Sequence, residues 1–404
     1  MDFVAGWFIK AAYYIQNTQI KVGLVSTNSI TQGEQAIKLW KHLILKLEME
    51  IYFAHQTFKW SNEAKGRAAV YCVIIGFSHI KKLSKKLFLY PDVKSDPTSK
   101  NVAVINQYLV DAPILFIEKR SKPLDNIPAM IYGTKPTDGG NLLFTEDEMK
   151  EFILKEPLSE KYFRPWVGAK EFINGYTRYC LYLKNCPPNE LRKMPYVLER
   201  VEAVREMRSQ STDASTLKWA STPTLFQTDR TINSDILIIP RVTSENRKYT
   251  PIGFHNYPAI CSDAVFQLPN ANNYLFGILT SSMHMAWMKT VCGRLKGDFR
   301  YPNTLVYNNF VFPDSTEKKK NDISAKAQKI LDIRYIYQHS GSSLADLYDP
   351  LAMPVDLLKA HLDLDKAVEK AYGQTFKTDE ERVAFLFRKY QEKSGIKIDT
   401  LIHN

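Results

Sequence analysis

Residues 3–77 constrain the fold most, because their hydrophobic period changes along the run. Phe3, Val4, Trp7, Phe8, Ala11, Ala12, Tyr14 and Ile15 recur at helical spacing. Lys21-Val22-Gly23-Leu24-Val25-Ser26 is short and β-rich, which predicts a buried strand feeding the polar loop Thr27-Asn28-Ser29. Glu34 to Leu47 is amphipathic again, and Ile51–Ala54 and Ala68–Phe77 read as two more strands. The order helix–strand–helix–strand–strand is that of the closing half of an α/β sheet, with the opening half missing from the chain. The last two strands are close enough in sequence to form an antiparallel pair at a sheet edge. Phe58, in Thr57-Phe58-Lys59-Trp60, then falls in the loop between them. A large aromatic there either stacks on an extruded base or packs back on the sheet.

The texture changes further along. Lys81 to Lys100 clusters lysines before a Pro/Asp/Ser stretch and reads as a surface loop. From about 110 to 315, short helical periods and β-rich pieces such as Ile114–Ile117 and Ile236–Ile239 suggest an irregular α+β domain. One long helix is predicted from Ala271 to about Cys292, stopped by Gly293. After Lys318-Lys319-Lys320 the chain reads as helical: Ile323–Tyr337, then Val355–Tyr372 ended by Gly373, then a last helix opened by the capping box Thr378-x-x-Glu381.

Composition narrows the function. The 404 residues carry 54 Lys+Arg against 43 Asp+Glu, a net charge of +11, which favours a polyanionic partner. No apolar run approaches the ~18 residues of a membrane span, and Met1-Asp2-Phe3 lacks a basic leader. The five cysteines show no CxxC pair, as expected of reduced thiols in a cytoplasmic protein with neither a zinc ribbon nor a disulfide framework. The histidines lack metal-ligand spacing, and His284 in Met283-His284-Met285 reads as a packing residue. There is no P-loop, GxGxxG or GxSxG pattern.

The sharpest local feature is Gly293-Arg294-Leu295-Lys296-Gly297-Asp298-Phe299-Arg300-Tyr301. An extended segment would place Lys296, Asp298 and Arg300 on one face. Lysine donates to guanine O6/N7 and aspartate accepts from cytosine N4, so the two can read one G·C pair. A solvated charged loop with an internal Lys–Asp pair is the alternative. Pro240-Arg241-Val242-Thr243-Ser244-Glu245-Asn246-Arg247 likewise offers Arg donors beside Ser, Thr and Asn.

Several stretches together match a known pattern: Asp2-Phe3-Val4-Ala5-Gly6-Trp7, Ser26-Thr27-Asn28-Ser29-Ile30-Thr31-Gln32-Gly33-Glu34, Ala54-His55-Gln56-Thr57-Phe58-Lys59-Trp60, Gly133-Thr134-Lys135-Pro136-Thr137-Asp138-Gly139-Gly140-Asn141, Ser281-Ser282-Met283-His284-Met285-Ala286-Trp287 and Leu344-Ala345-Asp346-Leu347-Tyr348-Asp349-Pro350. On these residues the chain resembles, nearly end to end, the MmeI-like restriction–modification enzymes, single-chain adenine-N6 DNA methyltransferases with their own target-recognition domain. The resemblance implies part of an α/β class I (Rossmann-like) methyltransferase sheet over residues 1–110, an α+β target-recognition domain over 111–315 and a helical extension over 316–404. Phe58 then resembles the aromatic that stacks on the flipped adenine. Base readout falls to Arg241 with Asp263, Lys296 with Asp298, and Arg300 with Ala264. Arg247, Lys248 and Arg294 are candidates for the DNA backbone. Double-stranded DNA is the implied partner, and the two donor–acceptor pairs imply at least two guanines in the site.

The chain also departs from the family. It has neither the glycine-containing loop for S-adenosylmethionine nor the Asn/Asp-Pro-Pro-Tyr/Phe motif, since Pro187-Pro188 follows Cys186 in the wrong domain. S-adenosylmethionine is expected for the complete enzyme and not to bind well to this chain. The expectation is a carboxy-terminal portion, truncated or split, whose amino-terminal half is a possible separate partner, with an unpaired sheet edge and an exposed apolar face. The competing reading is a stand-alone specificity subunit that never catalyses.

Overall fold

The computed structural model describes residues 2–60, 70–90, 95–295 and 297–396. Its amino-terminal region builds α1 (Ala5–Ile15), β1 (Lys21–Thr27), α2 (Gly33–Lys41), β2 (Glu50–Trp60), β3 (Val70–Ser78), β4 (Lys85–Leu89) and β5 (Thr98–Val102). The five strands form one mixed sheet in the order β1-β3-β2-β4-β5. β3 runs antiparallel to both β1 and β2, and β2 runs parallel to β4. The helical period of the first segment buries Phe8 against Phe77 and Trp40, with ring centroids 5.8 and 6.0 Å apart.

The expected antiparallel pairing of the last two strands is present, but β3 lies inside the sheet rather than at its edge. The charged stretch after Lys81 contributes β4 and β5, not a loop alone, because Leu87 is fully buried between β2 and β5. β1 is less buried than its composition suggests: only Ser26 is buried, and Val25 is 53% exposed. Beside it, α1 and the turn before it present Trp7, Tyr14 and Phe3 at 57, 79 and 88% exposure. The outer edge of β1 has no strand partner among the described residues.

The middle region contains β6 (Ile131–Tyr132), β7 (Leu143–Thr145), α3 (Glu146–Lys155), β8 (Phe163–Val167), α4 (Ala169–Asn174), β9 (Arg178–Leu181), α5 (Pro188–Leu191), α6 (Pro195–Ser209), α7 (Ala214–Lys218), β10 (Ile236–Pro240), β11 (Val242–Thr243), β12 (Gly253–His255), β13 (Ile260–Cys261) and β14 (Val265–Pro269). All of these strands but β11 fall into sheets β12-β10-β14-β6 and β13-β8-β9-β7. The second sheet and α6 enclose a core of their own around Phe144, Trp166 and Val201. Residues 114–117, a β-rich stretch, form no strand, although Leu115, Phe116 and Ile117 are buried.

The long helix predicted from Ala271 is two helices, α8 (Asn273–Thr280) and α9 (Ser282–Val291), separated by an extended Ser281. The break is satisfied from a distance: the Ser282 N–H donates to Asp365 Oδ1 at 2.7 Å. Gly293 does not cap the helix. It opens β15 (Gly293–Leu295), which pairs with β16 (Asp298–Arg300) as a hairpin. The carboxy-terminal helices α10 (Glu317–His339), α12 (Val355–Tyr372) and α13 (Asp379–Ser394) follow the expected periods, and a short α11 (Leu344–Leu347) joins the first two. Gly373 closes α12 in the left-handed region, and Thr378 caps α13 by accepting from the Glu381 N–H. Leu364 and Phe387 share one core with Phe8 and Phe266, so the helical segment packs continuously with the two regions before it.

Candidate nucleic-acid interface

Three chain segments converge beside β10. At the end of β10, Pro240 pairs with Val265, which brings Arg241 to the Ser262–Val265 turn. That turn is tied by the Val265 N–H to the Ser262 carbonyl and by the Ala264 N–H to Ser262 Oγ, both 3.2 Å. Arg241 N–H donates to the Ala264 carbonyl at 3.1 Å. Its guanidinium donates to the Asp263 carbonyl, approaches the Asp263 carboxylate at 3.9 Å and lies 4.8 Å from the centre of the Tyr132 ring. Arg241, Asp263 and Ala264 are therefore adjacent, and the arginine is held in one orientation.

β16 pairs with β11 as well as β15, setting Arg300 opposite both Val242 and Gly293. Alternation along β16 buries Phe299 and exposes Arg300. Asp298 Oδ1 accepts from the Glu245 N–H at 3.4 Å. Lys296, between β15 and β16 in sequence, lies outside the described residues.

Arg294 departs from its expected role. Its guanidinium pairs with Glu245 at 3.1 Å, donates to the Gly297 carbonyl at 2.7 Å and stacks 3.8 Å over Phe299. Tyr71 donates to the other Glu245 oxygen, and that hydrogen bond pushes the Tyr71 phenol up to about 12. Arg294 is thus engaged within the protein and is not presented to a phosphate.

A concavity of about 790 Å³ collects the remaining cations. Arg241, Arg247, Ala264 and Arg300 line one side, and Lys170 and Arg178 line the other. Arg247 is half-buried, its pKa lowered by desolvation, and neither it nor Arg300 has an ion-pair partner among the described residues. A partly desolvated cation without an ion-pair partner is costly, and an anion bound in the concavity would offset that cost at Arg247. Lys248 is exposed, its ammonium 5.7 Å from the Tyr249 ring, and does not line the concavity. Lys170 and Arg178 carry no local sequence signal and reach the site only through the packing of β8 and β9.

Phe58 belongs to β2 rather than to a loop, just past a register shift between His55 and Phe58. It is half-buried in an aromatic cluster: its ring stacks on Tyr90 at 5.2 Å and lies 6.1 Å from Trp60. His55 completes the cluster, stacked at 4.0 Å on Phe88 with Nδ1 2.8 Å from Tyr90 Oη. The other chemistry-bearing groups are structural. His284 is buried with Nε2 3.0 Å from Tyr301 Oη, and burial lowers its pKa to about 4. Among the described residues there is no metal-binding cluster and no helix long and apolar enough to cross a membrane. The five cysteines are free thiols.

Comparison with known proteins sets this geometry in context. Residues 1–90 match a family model described as the MmeI DNA-methyltransferase domain, 111–314 the MmeI target recognition domain, and 315–396 the MmeI C-terminal domain. The chain is 41% identical over 394 residues to DNA methyltransferase A of Bacillus subtilis (strain 168), covering 97% of this chain and 44% of that protein. It superposes on the solved structure of the type IIL restriction-modification enzyme MmeI in complex with DNA with a TM-score of 0.89 at 46% identity, covering 98% of this chain and 53% of that one. The chain therefore spans about half the length of the relatives it matches.

Proposed function

Because the chain belongs to the MmeI family of restriction–modification DNA methyltransferases, we propose that its cationic groove reads the target sequence of an adenine-N6 DNA methyltransferase. The observation that carries this reading is the convergence of Arg241, Arg247 and Arg300 on one concavity, two of them without a protein counter-ion. Arg241 with Asp263, and Lys296 with Asp298, supply a donor and an acceptor each, the chemistry that recognises a G·C pair in the major groove. Arg300 and Ala264 form a further reading position. Arg247 and Lys248 serve the phosphates. We place the division of labour at residues 1–110, 111–315 and 316–404.

Phe58 is the side chain we assign to stack on the extruded adenine, with Tyr90 behind it as a fixed aromatic backing. The β1-β3-β2 order, in which two mutually parallel strands flank a later antiparallel one, supports reading the sheet as the closing strands of a class I methyltransferase domain. The face carrying Phe3, Trp7, Tyr14 and Val25 is then the contact for further methyltransferase sequence, in the same polypeptide or another. S-adenosylmethionine is the methyl donor we propose for the whole enzyme. The concavity on α2, about 510 Å³, is walled by Lys38, Lys41, Lys46 and Glu118, the last paired with Lys41 at 2.6 Å. We assign no methyl-transfer step to it.

Fluorescence anisotropy of the purified chain on duplex and single-stranded DNA tests the reading. Duplex binding that weakens steeply between 50 and 200 mM salt supports it, because phosphate contacts release counter-ions. Preference for single strands, or salt-insensitive binding, contradicts it.

A further inference from the structure

We propose that the wall of the groove built by α4 and β9 clamps the sugar–phosphate backbone of the strand whose bases face Arg241 and Arg300, with Lys170 and Arg178 as the phosphate-binding side chains. The inference rests on the DNA-readout reading above. The concavity, about 790 Å³, is open to solvent and is lined by Lys170 and Arg178 as well as by Arg241 and Arg300, so a duplex seated on the two reading arginines passes the other two cations as well.

The two walls are rigidly joined. β13 runs parallel to β8, Ile260 opposite Trp166, and the Ser262 N–H donates to the Val167 carbonyl at 2.8 Å. The turn bearing Asp263 and Ala264 is thus tied to the strand that leads into α4. Between the walls the chemistry differs. Ser262, Asp263 and Ala264 offer acceptors and a small apolar contact beside Arg241, a combination suited to base edges.

The α4 wall offers cations on small neighbours, Gly168 and Ala169. Asn174, the remaining amide there, spends its Nδ2 on the Lys170 carbonyl at 2.8 Å. Arg178 is oriented by Glu171, 3.4 Å from it. Glu171 is itself buried and fixed by the Gly168 N–H at 3.0 Å. Lys170 is exposed and has no ion-pair partner among the described residues. Point charges at the mouth of a groove, one mobile and one pre-oriented, match phosphate oxygens and carry no sequence information.

Lys170→Ala and Arg178→Ala in the full chain test this on duplexes enriched by wild type from a random pool. Each removed phosphate contact lowers the salt slope by about 0.9, so the affinity lost between 50 and 200 mM salt shrinks about 3.5-fold per variant. Binding weakens alike on all sequences, and the preferred bases are unchanged. Unaltered affinity and slope in Lys170→Ala overturns the clamp, and so does a changed base preference at any one position. Lys170 is solvent-facing, so its variant remains informative if loss of the Arg178–Glu171 pair unfolds the other. Wild type that ignores duplex DNA would sink the parent reading. Wild type that binds and responds to Arg300→Ala but not to Lys170→Ala sinks only the clamp.

Discussion

Glu245 pairs with Arg294 at 3.1 Å and accepts from Tyr71 with its other oxygen, so one carboxylate ties the β15–β16 hairpin to β3 of the amino-terminal sheet. The hairpin is thereby held from behind while Arg300 on β16 stays free. Glu245→Ala leaves the half-buried Arg294 without its ion-pair partner and the Tyr71 hydroxyl without its acceptor, and is expected to cost about 1–3 kcal/mol, read by urea unfolding. In the same variant the Tyr71 phenol, held up at about 12, should titrate nearer its ordinary value. Ultraviolet titration checks that directly, and an unmoved phenol would contradict the link.

Gly297 closes the hairpin turn at φ 110°, and an added Cβ would stand 3.1 Å from Glu245 Oε1. Gly297→Ala should therefore destabilise by about 1–3 kcal/mol through backbone strain. Thermal unfolding measures it, with weakened DNA binding as the companion effect.

Arg300 is exposed and unpaired, so Arg300→Ala should leave thermal stability within about 0.5 kcal/mol of wild type. On the preferred duplex it should cost about 1–3 kcal/mol and relax one base position. A uniform loss across sequences would make Arg300 a phosphate contact instead.

Acid should destabilise the chain from about pH 6.5 downward. Burial lowers the pKa of His284 to about 4 and that of His361 well below its ordinary value. In the unfolded chain both titrate near 6.5, so the unfolded state binds more protons as pH falls. Their contribution is fully present above about 6.5 and is lost towards pH 4, at up to about 1.4 kcal/mol per pH unit for each histidine. His284→Gln should shallow that slope in urea titrations between pH 7 and 4.5. An unchanged slope would assign the acid sensitivity elsewhere.

The sequence shows those parts whose cause is local. α1, α12 and α13 follow from amphipathic spacing, and Gly373 and Thr378 mark their ends as read. The break at Ser281 was invisible because the apolar run continues through it, and the acceptor that stabilises it, Asp365, is far along the chain. Phe58 looks like a loop residue in sequence because β2 continues past its apolar stretch across an irregularity in pairing with β3. At the site, Arg241, Asp263, Ala264 and Arg300 do converge, whereas Arg294 looked available only while its partner Glu245 could not be seen. Lys170 and Arg178 join the groove through strand pairing of β8 with β9 and β13, a relationship no local pattern encodes.

Selection of binding sites from a pool of random duplexes with the purified chain tests the central claim most directly. Enrichment of a motif with two fixed G·C pairs, each lost separately when Arg241 or Lys296 is replaced by Ala, is the expected outcome. A pool that emerges unenriched, or a motif indifferent to both replacements, would contradict sequence readout by this groove.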